Sequence, residues 1–135
     1  MTGAKTAGGL KPVGLYREMY PNTHAELPAL LDSTSDHQVE DQYLVVAYMK
    51  AGTPVFDVLG DVTDLLDPTK SIRSGPSLVS DGEWIWRVDS IHYVENYAVE
   101  VPAEFLHHVR SRNYRPNSDV DVADPRFDAA IAAYF

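Results

Sequence analysis

The sequence predicts an α+β fold in which an antiparallel sheet of about four strands, arranged in two hairpins, is covered by helices, mainly C-terminal ones. Two observations carry this prediction. Segments rich in β-branched and aromatic residues are grouped between residues 43 and 86, and helical patterns with capping residues then continue to the end of the chain. Strands that are grouped before helices favour an α+β domain over alternating strand–helix units.

The chain has 135 residues, a length that suits one domain with a core of its own. Residues 1–12 are rich in Gly, Thr and Lys and predict a mobile N-terminal tail, so that residues 13–135 form the single domain. No apolar run typical of a signal peptide or a membrane span is present, which predicts a cytoplasmic protein without membrane contact. The absence of cysteine excludes disulfides, cysteine nucleophiles and thiolate metal sites.

A short helix is predicted at the start of the domain, where Leu15, Tyr16 and Met19 share one helical face. The first hairpin is predicted to join strands at residues 43–50 and 53–59, separated by Ala51-Gly52. The continuous apolar run at residues 44–47 indicates a central strand. Pro54 places the second strand at a sheet edge, because proline donates no hydrogen bond to a neighbouring strand.

The second hairpin is predicted around Asp81-Gly82, a pair typical of tight turns. Leu78-Val79 precedes the turn and Trp84-Ile85-Trp86 follows it. On a strand, Trp84 and Trp86 lie on one face. The two side chains either are buried between the sheet and the helices or form an exposed pair that stacks on a ligand. Only one or two residues link this strand to the next helix. The buried alternative is favoured because apolar side chains must fill the space where the helix folds back on the strand.

Three helices are predicted after this strand, each from an N-terminal capping signal and an apolar face. The first begins at Asp89, the second near Pro102 and the third at Asp124-Pro125. Their inward faces are Ile91, Val94 and Tyr97; then Phe105, Leu106 and Val109; then Phe127, Ile131 and Tyr134.

The net charge is −9. Residues 24–67 contain nine acidic residues and a single Lys or Arg residue, Lys50. Such a surface repels nucleic acid and anionic lipid and attracts basic proteins. Most of these acids lie in predicted loops, where carboxylates stay solvated. The candidate partner-binding residues are Asp32, Asp36, Glu40, Asp41, Asp61, Asp64 and Asp67.

The motifs of common catalytic and cofactor sites are missing. His107-His108 is the only histidine pair, and neighbouring helical residues point about 100° apart, which is unsuited to gripping one metal ion. No phosphate-binding loop or catalytic triad spacing is found. The sequence therefore predicts no catalytic residue, no cofactor and no metal, and it leans away from an enzyme.

An alternative site remains open where the tryptophan strand meets the following helix. Polar and aromatic residues there would serve a small enzyme or a small-molecule-binding domain. They are Asp81, Trp84, Trp86, Asp89, His92 and Tyr93.

Residues 80–109, SDGEWIWRVDSIHYVENYAVEVPAEFLHHV, resemble a motif of small uncharacterised bacterial proteins, some of which are regarded as immunity proteins of polymorphic toxin systems. In that motif an acid–Gly turn leads to paired tryptophans, a tyrosine-bearing helix and a P-x-E-F helix. The resemblance implies an immunity factor that binds a toxin, and the acidic charge of residues 24–67 makes a basic toxin the expected partner. It also implies that Asp81-Gly82, Trp84, Trp86, Tyr93, Tyr97, Pro102 and Phe105 are mainly a folding signature. The sequence specifies neither the partner nor the oligomeric state.

Overall fold

The computed structural model describes residues 9–20, 23–34, 39–97 and 99–134. The strands are β1 (Lys11–Pro12), β2 (Thr53–Phe56), β3 (Val62–Thr63), β4 (Ser71–Ile72), β5 (Leu78–Ser80) and β6 (Trp84–Arg87). The helices are α1 (Gln42–Lys50), α2 (Val88–Asn96), α3 (Ala103–Ser111) and α4 (Pro125–Tyr134). Two 3₁₀ turns lie at Arg17–Met19 and Leu31–Ser33.

The α+β class is confirmed, but the main sheet is mixed rather than purely antiparallel. Its strand order is β1-β6-β5-β2, and β3 and β4 form a separate two-stranded sheet. Strand β5 pairs antiparallel with both of its neighbours, whereas β1 runs parallel to β6. Strand β2 lies at the edge of the described sheet, as Pro54 predicted.

Strand β1 comes from the segment predicted to be a tail. Residues 1–8 of that segment lie outside the described residues, but Leu10 is fully buried. The amide of Lys11 donates to the carbonyl of Glu83, and that of Val13 donates to Ile85. The prediction of a tail is therefore wrong for residues 10–12, because burial of Leu10 and pairing with β6 tie this segment to the domain.

Residues 43–50, predicted to be the first strand, belong to helix α1. Val45, Val46, Tyr48 and Met49 are buried, and these positions lie on one side of a helix. β-Branched residues lower helix propensity by only a few tenths of a kcal/mol each, and burial of this side against the tryptophans, α2 and α3 outweighs that cost. The first predicted hairpin is therefore wrong, and β2 pairs with β5 instead.

The predicted leading helix is reduced to the 3₁₀ turn at Arg17–Met19. Leu15 and Tyr16 precede that turn and are buried in separate clusters, Leu15 beside α4 and Tyr16 beside Tyr93. Gly14 has a φ of +70°, and a Cβ there would lie 2.8 Å from that of Ser90. The close contact between this segment and α2, rather than one helical face, decides where its apolar side chains go.

The second hairpin and the C-terminal helices are confirmed. Strands β5 and β6 pair across the turn that contains Gly82, whose φ is +95°. Helix α2 starts at Val88, so Arg87 rather than Asp89 is at the N-cap position, and the amide of Arg87 donates to the Ser90 hydroxyl at 3.1 Å. Helix α4 begins at Pro125, and the Asp124 carboxylate accepts the amide of Arg126 as an N-cap does.

Apolar layers cover both faces of the main sheet, and both tryptophans lie inside one of them. Trp84 and Trp86 pack with residues of α1, α2 and α3. On the other face, Ile85 and Leu78 pack with the N-terminal segment and α4. The tryptophans are therefore core residues, and all four side chains of β6 are buried.

Candidate functional site

The acids predicted to bind a partner fall into three groups. Asp32, Glu40 and Asp61 are exposed, whereas Asp41 and Asp67 are partly buried. Asp64 is only 1% exposed. Asp36 lies outside the described residues. The expectation that these loop acids stay solvated is thus wrong for Asp64, which the fold uses internally.

Asp41 joins the start of α1 to the end of α3. Its two carboxylate oxygens accept from Nε and Nη2 of Arg110, each at 2.9 Å, and Oδ2 also accepts from the Tyr114 hydroxyl at 2.7 Å. The hydrogen bonds from Arg110 hold the pKa of Asp41 well below its usual range. This carboxylate is engaged within the molecule and is poorly placed to meet a partner.

Asp64 anchors the segment after β3 to helix α2. Its Oδ1 accepts the backbone amides of Leu66 and Asp67 at 2.7 and 3.1 Å. Its Oδ2 lies 2.7 Å from His92 Nε2 and accepts the Tyr97 hydroxyl at 2.7 Å. Burial alone raises the pKa of Asp64, but the hydrogen bonds from His92, Tyr97 and Leu66 outweigh it, and the pKa lies below its ordinary value.

The lowered pKa of Asp64 predicts a loss of stability in acid. Its contribution is complete above the unfolded pKa of about 3.9 and disappears as the pH falls through the lower folded value. Urea melts between about pH 6 and about pH 2 should therefore show a smaller loss of stability in Asp64→Asn than in the wild type. Asp61→Asn, which changes an exposed acid, is the control. An Asp64→Asn profile parallel to that of the wild type would contradict this role.

The residues of the alternative pocket do not converge on one site. Trp84 and Trp86 are buried in the core. Asp89 forms a buried ion pair with Arg87, and His92 is bonded to Asp64. The Tyr93 hydroxyl accepts the amide of Leu65 at 2.8 Å, and burial raises the pKa of Tyr93 to about 12. Two of the six, Asp81 and Trp84, border open grooves, but the grooves are different ones.

A different surface forms along the exposed side of α2. His92 binds the segment that holds Asp64, and Glu95 forms an ion pair of 2.9 Å with Lys50 of α1. These two α2 residues are neighbours on the helix surface because they are three positions apart. The segment after β3 and helix α1 therefore border the same side of α2.

A groove of about 400 Å³ lies between α1 and α2, and Glu40, Tyr43 and Glu95 are among the residues that line it. The Tyr43 ring is 72% exposed, and Leu65 is exposed in the segment that Asp64 anchors. We use the name acidic face for Glu40, Tyr43, Leu65 and Glu95 together with Asp61, an exposed acid immediately before β3.

Sequence reasoning missed Tyr43 and Glu95 as surface residues and Tyr48 as a buried one. A helical interpretation of residues 42–50 would have separated Tyr43, Ala47 and Lys50 on the outer side from the apolar residues on the inner side. No local signal joins Asp64 to His92, because such pairs are made by the tertiary fold.

No family model matches the chain, and neither a curated protein nor a solved structure matches it. Among the described residues, no helix is long and apolar enough to cross a membrane. In the same ranges, no three His, Asp or Glu side chains are arranged to hold a metal ion.

Proposed function

We propose that this protein is an interaction module whose acidic face binds a basic protein. The observation that carries the proposal is Tyr43, which is 72% exposed in a groove bordered by Glu40 and Glu95. Tyrosine is enriched among the residues that dominate binding energy at interfaces. Carboxylates around such an anchor draw a basic partner towards it and orient it.

The carboxylates of this face are available to a partner. The structure describes no hydrogen bond or ion pair to the side chain of Glu40 or of Asp61, and both residues are exposed. The bond between Glu95 and Lys50 joins two half-exposed side chains, and such pairs contribute little to stability. A basic side chain of the partner can therefore replace Lys50 at small cost.

The resemblance of residues 80–109 to bacterial immunity-like proteins indicates which partner to test first. The first partner to test is a basic toxin whose gene lies beside the gene of this protein, which would then act as the immunity factor. Trp84, Trp86, Tyr93 and Phe105, which carry part of that resemblance, are buried. Their burial supports a role in folding and leaves the partner contacts to other residues, such as those of the acidic face.

Association kinetics with the candidate toxin test the proposal. The on-rate should fall roughly tenfold as ionic strength rises from about 0.02 to about 0.5 M, because salt shortens the reach of charge attraction. The double variant Glu40→Gln, Asp61→Asn should associate more slowly than the wild type at low salt. Asp64 is left intact because its removal would disturb the fold.

The matched control is Asp119→Asn, Asp128→Asn, which removes the same charge from two exposed residues elsewhere. Tyr43→Ala should raise the off-rate and weaken binding by more than about 1 kcal/mol while the melting temperature stays unchanged. An on-rate that does not change with salt would contradict the proposal. So would a Glu40→Gln, Asp61→Asn variant that associates as fast as the control variant.

A second candidate function is a small-molecule site, the alternative that the tryptophan strand suggested. All six of its residues are buried or bonded within the fold, and Asp81 itself is only 3% exposed. One observation still favours a site in this region, since Asp81 and His108 are bonded to each other at 2.8 Å beside open grooves.

A further inference from the structure

The turn between β5 and β6 holds a carboxylate that is almost completely enclosed. Asp81 Oδ1 accepts the amides of Glu83 and Trp84 at 2.9 and 2.8 Å. Its Oδ2 accepts the Tyr48 hydroxyl at 2.5 Å and lies 2.8 Å from His108 Nε2. Donors from α1, α3 and the turn itself thus converge on one side chain, which holds the His108 ring in one orientation.

This orientation turns the second nitrogen of His108 towards a surface glutamate. His108 Nδ1 lies 3.3 Å from Oε2 of Glu83, and the side chains of His108 and Glu83 are 16% and 63% exposed. An exposed pair of this kind is weak, and a flexible glutamate leaves it at little cost. Glu83 therefore occupies the position that the oxyanion of a ligand would take against His108.

A groove of about 510 Å³ opens beside His108, and Lys11, His107 and Arg126 line it together with the carboxylates of Glu83 and Glu104. Lys11 Nζ lies 5.4 Å from the centre of the Trp84 ring. Within the described ranges, the structure gives Lys11 and His107 no carboxylate partner, whereas Arg126 Nε pairs with Asp124 at 3.1 Å. Cationic groups and ring donors thus gather at one groove of a protein whose net charge is −9.

We propose that this groove, the His108 groove, binds a small molecule that carries an oxyanion, either a carboxylate or a phosphate. The anion replaces Glu83 at His108 Nδ1, and Lys11 and Arg126 approach it as cations. In the protonated imidazole both nitrogens donate, one to Asp81 and the other to the ligand. The volume suits a small organic ligand, and the site is independent of the acidic face.

An NMR titration that follows the His108 ring resonances tests this proposal, with inorganic phosphate and acetate as probes and chloride at equal ionic strength as the reference. Glu83→Gln should bind the probe about two- to fivefold more tightly, because it removes a competing carboxylate of the strength of an exposed ion pair. Lys11→Met should weaken binding. The matched control is Glu95→Gln, which removes the same charge from the acidic face and should leave the affinity unchanged.

Saturable shifts with phosphate but not acetate would identify phosphorylated ligands, and the reverse would identify carboxylates. Shifts equal to those caused by chloride would overturn the proposal. A Glu83→Gln variant that binds no more tightly than Glu95→Gln would also overturn it, because Glu83 would then not occupy the position of the ligand.

Discussion

Replacement of Trp86 with alanine is expected to lower the free energy of unfolding by about 3–5 kcal/mol. The side chain is fully buried, and its ring packs against Tyr48 and Phe105 with centroids 6.3 and 5.8 Å away. Its Nε1 donates to the carbonyl of Met49 at 3.1 Å. Truncation would leave a cavity between the sheet and α1, and it would remove the donor to a buried carbonyl.

Urea denaturation followed by circular dichroism measures this effect. Trp86→Phe should cost less, because it keeps an aromatic ring although it loses the hydrogen bond. Tyr43→Ala removes an exposed aromatic ring and should change stability by less than about 0.5 kcal/mol. A loss below about 1 kcal/mol for Trp86→Ala would show that the indole does not support the core.

Replacement of Arg87 with methionine is expected to cost about 3–5 kcal/mol near neutral pH, because it leaves a buried charge without its partner. Arg87 Nε and Nη2 donate to the two oxygens of Asp89 at 2.9 and 2.7 Å, and both side chains are buried. Burial raises the pKa of Asp89, and the Arg87 guanidinium opposes that rise.

Without Arg87, burial raises the pKa of Asp89 further, and only the backbone amides of residues 89 and 90 still oppose that rise. A raised folded pKa penalises the folded state above the unfolded pKa of about 3.9 and does not penalise it below that value. The loss of unfolding free energy in Arg87→Met, relative to the wild type, should therefore become smaller as the pH falls from 7 towards about 4.

The double variant Arg87→Met, Asp89→Leu separates the lost charge pair from lost packing. It should be more stable at pH 7 than Arg87→Met alone, since the apolar pair leaves no unpaired charge. Equal stability of the single and double variants, with no dependence on pH, would mean that the packing of Arg87 over the Tyr20 ring, at 5.1 Å, accounts for the loss.

Local chemistry accounts for the elements that could be predicted. The Asp81-Gly82 turn, the Pro102 start of α3 and the Asp124-Pro125 start of α4 are each specified by a few adjacent residues. Turns and helix ends depend on backbone conformation and on short-range hydrogen bonds, and both are encoded within about four positions. The buried tryptophans were predictable for a related reason, because the strand runs directly into a helix.

Helix α1 marks the limit of such local reasoning. Its residues favour a strand by intrinsic preference, and only the packing of its inner side against Trp86 and α2 decides for a helix. Strand β1 is similar, because a two-residue strand has no periodicity and exists only through its pairing with β6.

Composition and short-range sequence patterns are sufficient to specify the α+β class, the acidic charge, the β5–β6 hairpin and the C-terminal helices. The tertiary structure alone decided which carboxylates remain on the surface. Asp64 meets His92 across 28 positions of the chain, and Asp41 meets Arg110 across 69. Whether a carboxylate is free to bind a partner depends on which donors the fold brings to it, and these donors come from distant parts of the chain.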